Sequence, residues 1–320
     1  MPKIVTFGEV LIDFVPTVTG VSLIEAPAFK KAAGGAPANV AVGLSRLGVS
    51  SAFMGKVGED AFGHFLAQTL DENQVDTSGL VFSSAARTAL AFVSLKADGD
   101  RDFMFYRHPS ADMLFTPEEV NESLIRACRV FHFGSISLIS EPSRSATCHA
   151  LEIAHQAGLL VTYDPNLRLN LWADEAAARQ GILSAWDQAQ VIKISREELV
   201  FLSAQDDLEA GVRSLWRPGL TLLIVTDGRE GCWYFTPDLW GKVAGFSVES
   251  IDATGAGDAF VAGLLRGLIA QPRAWEEEGA LREICRYANA VGALTTTQRG
   301  AIPALPSAAQ VAQFLSARGA

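Results

Sequence analysis

The stretch Asp252-Ala253-Thr254-Gly255-Ala256-Gly257-Asp258-Ala259-Phe260 is a glycine turn that runs straight into an apolar helical pattern ending near Ile269. Gly255 and Gly257 permit a sharp turn and a close approach of backbone to a ligand. The first N–H groups of the helix that follows have no partner within it, and with the helix dipole they favour a phosphate or a developing negative charge. Asp258 stands at the mouth of this positive site. A carboxylate there adds nothing to anion binding but is placed to take a proton from a hydroxyl nucleophile. Taken alone, the pattern also fits a tight turn with a capping Asp.

Outward from this turn, apolar runs at Ile4–Phe7, Ser51–Val57, Val130–Phe133, Leu159–Tyr163, Val191–Ile194 and Leu222–Thr226 alternate with helical patterns. The predicted helices include Ala38–Leu47, Phe62–Asn73, Pro117–Cys128, Pro142–Ala157, Asp258–Ile269 and Leu281–Thr295. That alternation is the mark of βαβ units around a mostly parallel sheet, an α/β fold whose ligand loops lie beyond the carboxyl ends of the strands. Leu11–Lys31 and Thr88–Arg107 do not fit it. The second reads as a hairpin, Ala89–Lys96 and Asp102–Arg107 around the turn Asp98-Gly99-Asp100. These segments either form a small sheet over the active face or extend the main sheet at an edge.

The 320 residues suffice for a substantial core as one large unit or two domains. A formal net charge of −10, with no Lys/Arg cluster to offset it, argues against nucleic acid and anionic lipid as partners. No apolar run reaches the ~18 residues of a membrane helix, and the first strand is soon interrupted by Glu9 and Asp13, so a cytoplasmic protein is expected. The four cysteines, Cys128, Cys148, Cys232 and Cys285, form no Cys-x-x-Cys pair and read as buried thiols, with no structural zinc expected.

A second glycine turn, Gly34-Gly35-Ala36-Pro37-Ala38-Asn39-Val40-Ala41, also opens a helix. Its glycine pair allows close backbone approach, and the Asn39 amide can both donate to and accept from sugar hydroxyls. A plain turn with a capping Asn fits equally. Asp13 can accept two hydrogen bonds from vicinal hydroxyls, or be a loop Asp. The P-loop pattern is absent, and Phe260 occupies the place of the third glycine of a dinucleotide fingerprint. Phosphates would be held by a different turn.

The two stretches Gly34–Ala41 and Asp252–Phe260 together resemble the two signatures of the ribokinase-like, or PfkB, carbohydrate kinases, in their order and separation as well. The resemblance spans essentially the whole chain. It implies a doubly wound, mostly parallel sheet with helices on both faces, formed by residues 1–10, 32–87 and 108–320, and a small β lid from 11–31 and 88–107. It implies ATP-dependent phosphorylation of a sugar, with Asp258 as general base and the amides of Gly255, Ala256 and Gly257 as the anion hole. Asp13, Gly34, Gly35 and Asn39 match sugar-binding positions. Thr226, Gly228 and Gly231 in Val225–Gly231, together with Ser195 and Asn289, match the nucleotide side.

Within the family, Met104–Met113, Gly134–Leu138 and Tyr163–Trp172 are most similar to fructokinases. 2-Keto-3-deoxygluconate kinases, with an anionic substrate, carry similar patterns around Arg107 and Arg168, and both arginines are candidate substrate contacts. A salt bridge from Arg168 to Asp164 is the structural alternative. An aminoimidazole riboside kinase and a non-catalytic sugar or nucleotide sensor are further readings. Where the family often has Asn-x-x-Glu, this chain has Ser195-Arg196-Glu197-Glu198. Glu198 remains a candidate for Mg²⁺ through water. Asp252 and Thr254, with backbone near Gly300, resemble a monovalent-cation site that would hold K⁺. A helix N-terminus lowers the expected pKa of Asp258, so that positioning rather than basicity would carry catalysis. Apolar alternation around Phe103 and Phe105 permits lid strands to pair in a homodimer.

Overall fold

The computed structural model describes residues 3–18, 20–95 and 101–319. The expected turn at Asp98–Asp100 lies outside them. The described strands form two sheets. The larger orders β13 (Trp240–Val243), β12 (Cys232–Phe235), β11 (Leu222–Thr226), β10 (Val191–Ser195), β9 (Leu160–Tyr163), β8 (Val130–Phe133), β1 (Ile4–Phe7), β4 (Ser51–Gly58) and β5 (Asp76–Ser83). It is parallel from β11 to β5 and ends in the antiparallel strands β12 and β13.

The smaller sheet orders β3 (Phe29–Gly34), β2 (Leu11–Pro16), β6 (Leu90–Leu95) and β7 (Arg101–Tyr106). The two irregular segments therefore make a separate sheet and do not extend the main one, and the expected hairpin is β6 paired antiparallel with β7. Rings hold this sheet together: Phe92 stacks on Phe14 at 4.9 Å and meets Phe29 and Tyr106 edge-on at 5.3 and 5.5 Å.

The central strands of the large sheet are mostly apolar because helices cover both faces. Along β11, Leu222 and Ile224 face one core while Leu223 and Val225 face the other. The first core is closed by α1 (Ala36–Arg46), α2 (Ala61–Glu72), α8 (Ala256–Ala270), α9 (Glu278–Thr295) and α10 (Ala308–Ser316). The second is closed by α3 (Glu122–Arg126), α4 (Ser143–Gln156), α5 (Glu175–Ser184), α6 (Arg196–Ser203) and α7 (Leu208–Leu215).

One expected helix is broken. Pro117–Cys128 is a 3₁₀ turn at Pro117–Glu119 followed by the short α3. Thr116 and Glu119 close a capping box on the first piece, and Asn121 caps Leu124 N to start the second, so two helix starts compete within one run. Cys148, on α4, is exposed, contrary to the expectation of four buried thiols. Helices α1 and α8 pack closely because Gly43 faces Ala262, where an added Cβ would lie 2.8 Å from the Ala262 methyl. That close packing brings the two glycine turns at their N-termini together.

Candidate active site

Asn39, in the first turn of α1, donates from Nδ2 to Asp258 Oδ2 at 2.7 Å. Asn166, after β9, approaches Oδ1 of the same carboxylate at 3.4 Å. Asn39 Oδ1 is buried and has no partner among the described residues, which leaves an acceptor for a ligand hydroxyl.

Asp258 is buried, and its carboxyl is pushed up to about 6. Burial is the largest cause and Asp164 adds to it, while the Asn39 hydrogen bond, Lys193 and Arg168 pull the other way. The lowered value expected from the helix dipole is thus overturned, because loss of water outweighs the favourable field. The result is a carboxyl whose proton is exchanged close to neutrality.

Asp13 enters the site from β2. It is partly buried, and its carboxyl rises to about 7, chiefly by desolvation, against the pull of Arg168 and with help from Asp258 and Asp252. Gly34 lies beneath it, where an added Cβ would come within 2.0 Å of Asp13 Oδ2. Gly35, at φ +105°, leaves no room either, since a Cβ would meet Glu9 O at 2.5 Å.

At the other turn, Gly255 is left-handed at φ +77° and packed against Ala301. The Ala256 N–H closes onto Ala253 O at 3.2 Å, whereas those of Gly255 and Gly257 find no acceptor among the described residues. The anion hole expected from three amides is therefore open chiefly at the glycines. Behind it stands Lys193, whose Nζ lies 3.2 Å from where a Gly257 Cβ would be and 3.1 Å from Asp164 Oδ2. Burial opposes the lysine's charge, but Asp164, Glu198 and Asp258 together hold it protonated, above its ordinary value. Asp164 Oδ1 is buried with no partner among the described residues. Asp164 thus pairs with Lys193, and Arg168 donates to Leu167 O at 3.0 Å.

Several expected contacts also serve the frame. Ser195 and Glu198 form the capping box of α6, and the two Glu198 oxygens accept from Ser195 N and Leu167 N at 2.7 Å each. Asn289 Nδ2 ties α9 to Val243 O and Ala244 O at 3.1 and 3.2 Å. Thr226 Oγ1 donates to Ile194 O at 3.3 Å, and Gly228 (φ +50°) and Gly231 (φ +99°) shape the turn after β11. Asp252 joins two loops: Oδ1 accepts from Thr254 N at 2.9 Å and Thr254 Oγ1 at 2.6 Å, and Oδ2 accepts from Gly300 N at 2.9 Å.

Arg107 is buried and held by Asp112 through Nε at 3.1 Å and through Nη2, with Ser110 donating to the other Asp112 oxygen. Glu9 lies in the field of this pair and accepts from Ala36 N at 3.1 Å. Burial pushes its carboxyl up to about 7. Glu9, Asn166 and Lys193 were not expected at the site from the sequence, and Asp164 was expected only as a salt-bridge partner of Arg168. Lys193 carried a readable signal as the one charge in the apolar strand Val191–Ile194.

Comparison with known proteins gives the family. A pfkB family carbohydrate kinase model matches residues 1–308. Fructokinase-1 of Zea mays is 56% identical over 313 residues, 98% of this chain and 97% of that one. A fructokinase from Xylella fastidiosa with bound ATP superposes with TM-score 0.91 at 35% identity, over 100% of both chains. A double mutant of fructokinase from Vibrio cholerae O395, in a form with fructose, ADP and potassium ion bound, gives 0.89 at 37% identity over 98% of each. With two glycine turns meeting at one buried aspartate and matches along nearly its whole length, the chain belongs to the PfkB family of carbohydrate kinases.

Proposed function

We propose that this chain transfers the γ-phosphoryl group of ATP to a primary hydroxyl of D-fructose, giving D-fructose 6-phosphate and ADP. The observation that carries the reading is the Asn39–Asp258 hydrogen bond, which joins the two turns at one carboxylate with a raised pKa. Kinship with fructokinases at 56% identity supports the choice of sugar. Asp13, Asn39 and the Gly34–Gly35 backbone hold the sugar hydroxyls, and Arg168 closes the pocket. Arg107, already engaged by Asp112, is assigned to the pocket floor.

Asp258 Oδ1 or Oδ2 accepts the hydroxyl proton as the sugar oxygen attacks phosphorus in line and the bond to the ADP oxygen breaks. The amides of the 255–257 turn, with Lys193 behind them, stabilise the transferred group. The small sheet, taken as residues 11–31 and 88–107, acts as a lid that excludes water. Thr226, Gly228, Gly231 and Asn289 shape the nucleotide side.

No group of three His, Cys, Asp or Glu side chains that could hold a metal occurs among the described residues. Unpartnered Asp164 Oδ1 fits a hydrated Mg²⁺ that arrives with the nucleotide, and Glu198, occupied by two amides, fits only through water. Mg²⁺ neutralises phosphate charge when bound. Asp252, Thr254 and backbone near Gly300 would hold K⁺; equal rates in sodium, potassium and large organic cations would remove that assignment. Met104 and Tyr106, exposed on the edge strand β7, support pairing of two lids in a homodimer, which light scattering tests.

An ADP-release assay with fructose, 2-keto-3-deoxygluconate and aminoimidazole riboside decides the substrate. Fructose is expected to give the highest kcat/KM. Preference for either alternative overturns the sugar assignment, and no turnover with any of them, with sugar binding retained, supports a sensor.

A further inference from the structure

At the far end of α1 from the sugar site, Arg46 borders a surface pocket of about 230 Å³ lined also by Thr297, Gln298, Leu305 and Gln310. Arg46 is half-buried, and its guanidinium meets only neutral acceptors: Nε donates to Asn73 Oδ1 at 2.9 Å and Nη1 to Leu305 O at 2.8 Å. Among the described residues no carboxylate pairs with it, and burial alone lowers its pKa. A second guanidinium, Arg266, donates to the carbonyl of the next residue, Leu47, at 3.3 Å. Gln310 spends its Oε1 on Ser307 N and Oγ at 2.8 and 3.0 Å, which leaves its amide NH₂ as a donor. In a chain of net charge −10, this pocket has Arg46, Gln298 and Gln310 as donors on an otherwise largely apolar lining that holds no acid and does not include Arg266.

Residues next to the pocket's lining contact the loops of the candidate active site. Thr296 O accepts from Ile251 N and Asp252 N at 2.8 and 3.1 Å, Gly300 N donates to Asp252, and Ala301 packs on Gly255. A ligand that orders residues 297–305 therefore acts on the loops that set the anion turn. We propose that the Arg46 pocket binds a small phosphate-bearing anion and that its occupancy changes the rate of phosphoryl transfer. Arg46 would supply charge-assisted hydrogen bonds, and Gln298 and Gln310 amide donors. The effect on rate rests on the kinase reading; the binding does not.

Calorimetric titration of the full chain with inorganic phosphate and with 3-phosphoglycerate, at constant ionic strength, tests the site. One saturable event is expected, weakened about tenfold or more in Arg46→Gln, the scale of losing a charge-assisted bond. Gln298→Glu, on an exposed side chain, is expected to weaken it by repulsion without loss of folding. Phosphate bound at the catalytic turn would ignore both changes. Tighter binding of 3-phosphoglycerate identifies a phosphorylated metabolite as the occupant, and equal binding identifies free phosphate. Unchanged affinity in both variants, or no saturable event, overturns the site. Saturation without any change in kinase rate overturns the coupling.

Discussion

The turns at Gly34–Gly35 and Gly255–Gly257 each open a helix, yet they present opposite chemistry. At α1 the Ala36 amide is already given to Glu9, and the Asp13 carboxylate lies over Gly34. At α8 the amides of Gly255 and Gly257 have no acceptor among the described residues, and Lys193 stands behind them. A helix N-terminus is thus not an anion site by itself; what surrounds its amides decides. The first turn is saturated with acceptors and suits neutral hydroxyls. The second keeps its donors and suits a phosphoryl group, and Asn39 and Asp258 form the seam between them.

The comparison breaks first at the seam. Asp258→Asn is expected to lower kcat by about 10²- to 10⁴-fold, the range for loss of a general base, with sugar and ATP binding retained. The same change should raise stability. With its folded pKa raised to about 6, Asp258 favours folding at low pH and that contribution is lost as pH rises through 6. The Asn variant should accordingly be more stable at pH 8, by on the order of 2 kcal/mol, as read from denaturant melts. Equal turnover in both proteins would remove Asp258 from the mechanism.

Lys193→Met tests the donor side. We expect kcat to drop by about 10²-fold with little change in sugar KM, as for loss of an anion-stabilising group. The double variant with Asp164→Asn, which spares a buried unpaired carboxylate, should recover stability but not rate. Asp13→Asn tests the acceptor side: sugar KM should rise about tenfold or more while kcat changes less. In wild type, kcat/KM should fall below pH 7 with a slope approaching two as Asp13 and Asp258 both take up protons. A single limb near 6 should remain in Asp13→Asn, and an unaltered slope there would separate Asp13 from catalysis. The smallest effect is expected from Glu9→Gln, about two- to threefold in sugar KM, the worth of one neutral backbone hydrogen bond.

The frame was legible where burial is two-sided. The six apolar runs became six strands of the large sheet, because a strand between two helix layers is built mainly of hydrophobic residues. The edge strands β5 and β13, and β12 beside the latter, were passed over; a half-exposed edge strand such as Trp240–Val243 carries mixed polarity. Asp258, Asn39 and their glycines stood out because they lie in contiguous motifs. Lys193, Asp164 and Glu9 did not, since their roles come from neighbours distant in sequence. The rise in the Asp258 pKa was equally hidden, because a local sequence displays the helix dipole but not the water that folding removes.

The fit of Gly34 against Asp13 couples two positions of this pocket. A methyl at 34 would strike a carboxylate oxygen while Asp13 is in place. A side chain at position 34 is accommodated only if the Asp13 carboxylate swings aside or is shortened, and either change moves the proposed hydroxyl acceptor. A substitution at this wall therefore acts through two positions at once, and a change made at 34 is read out as a displacement at 13.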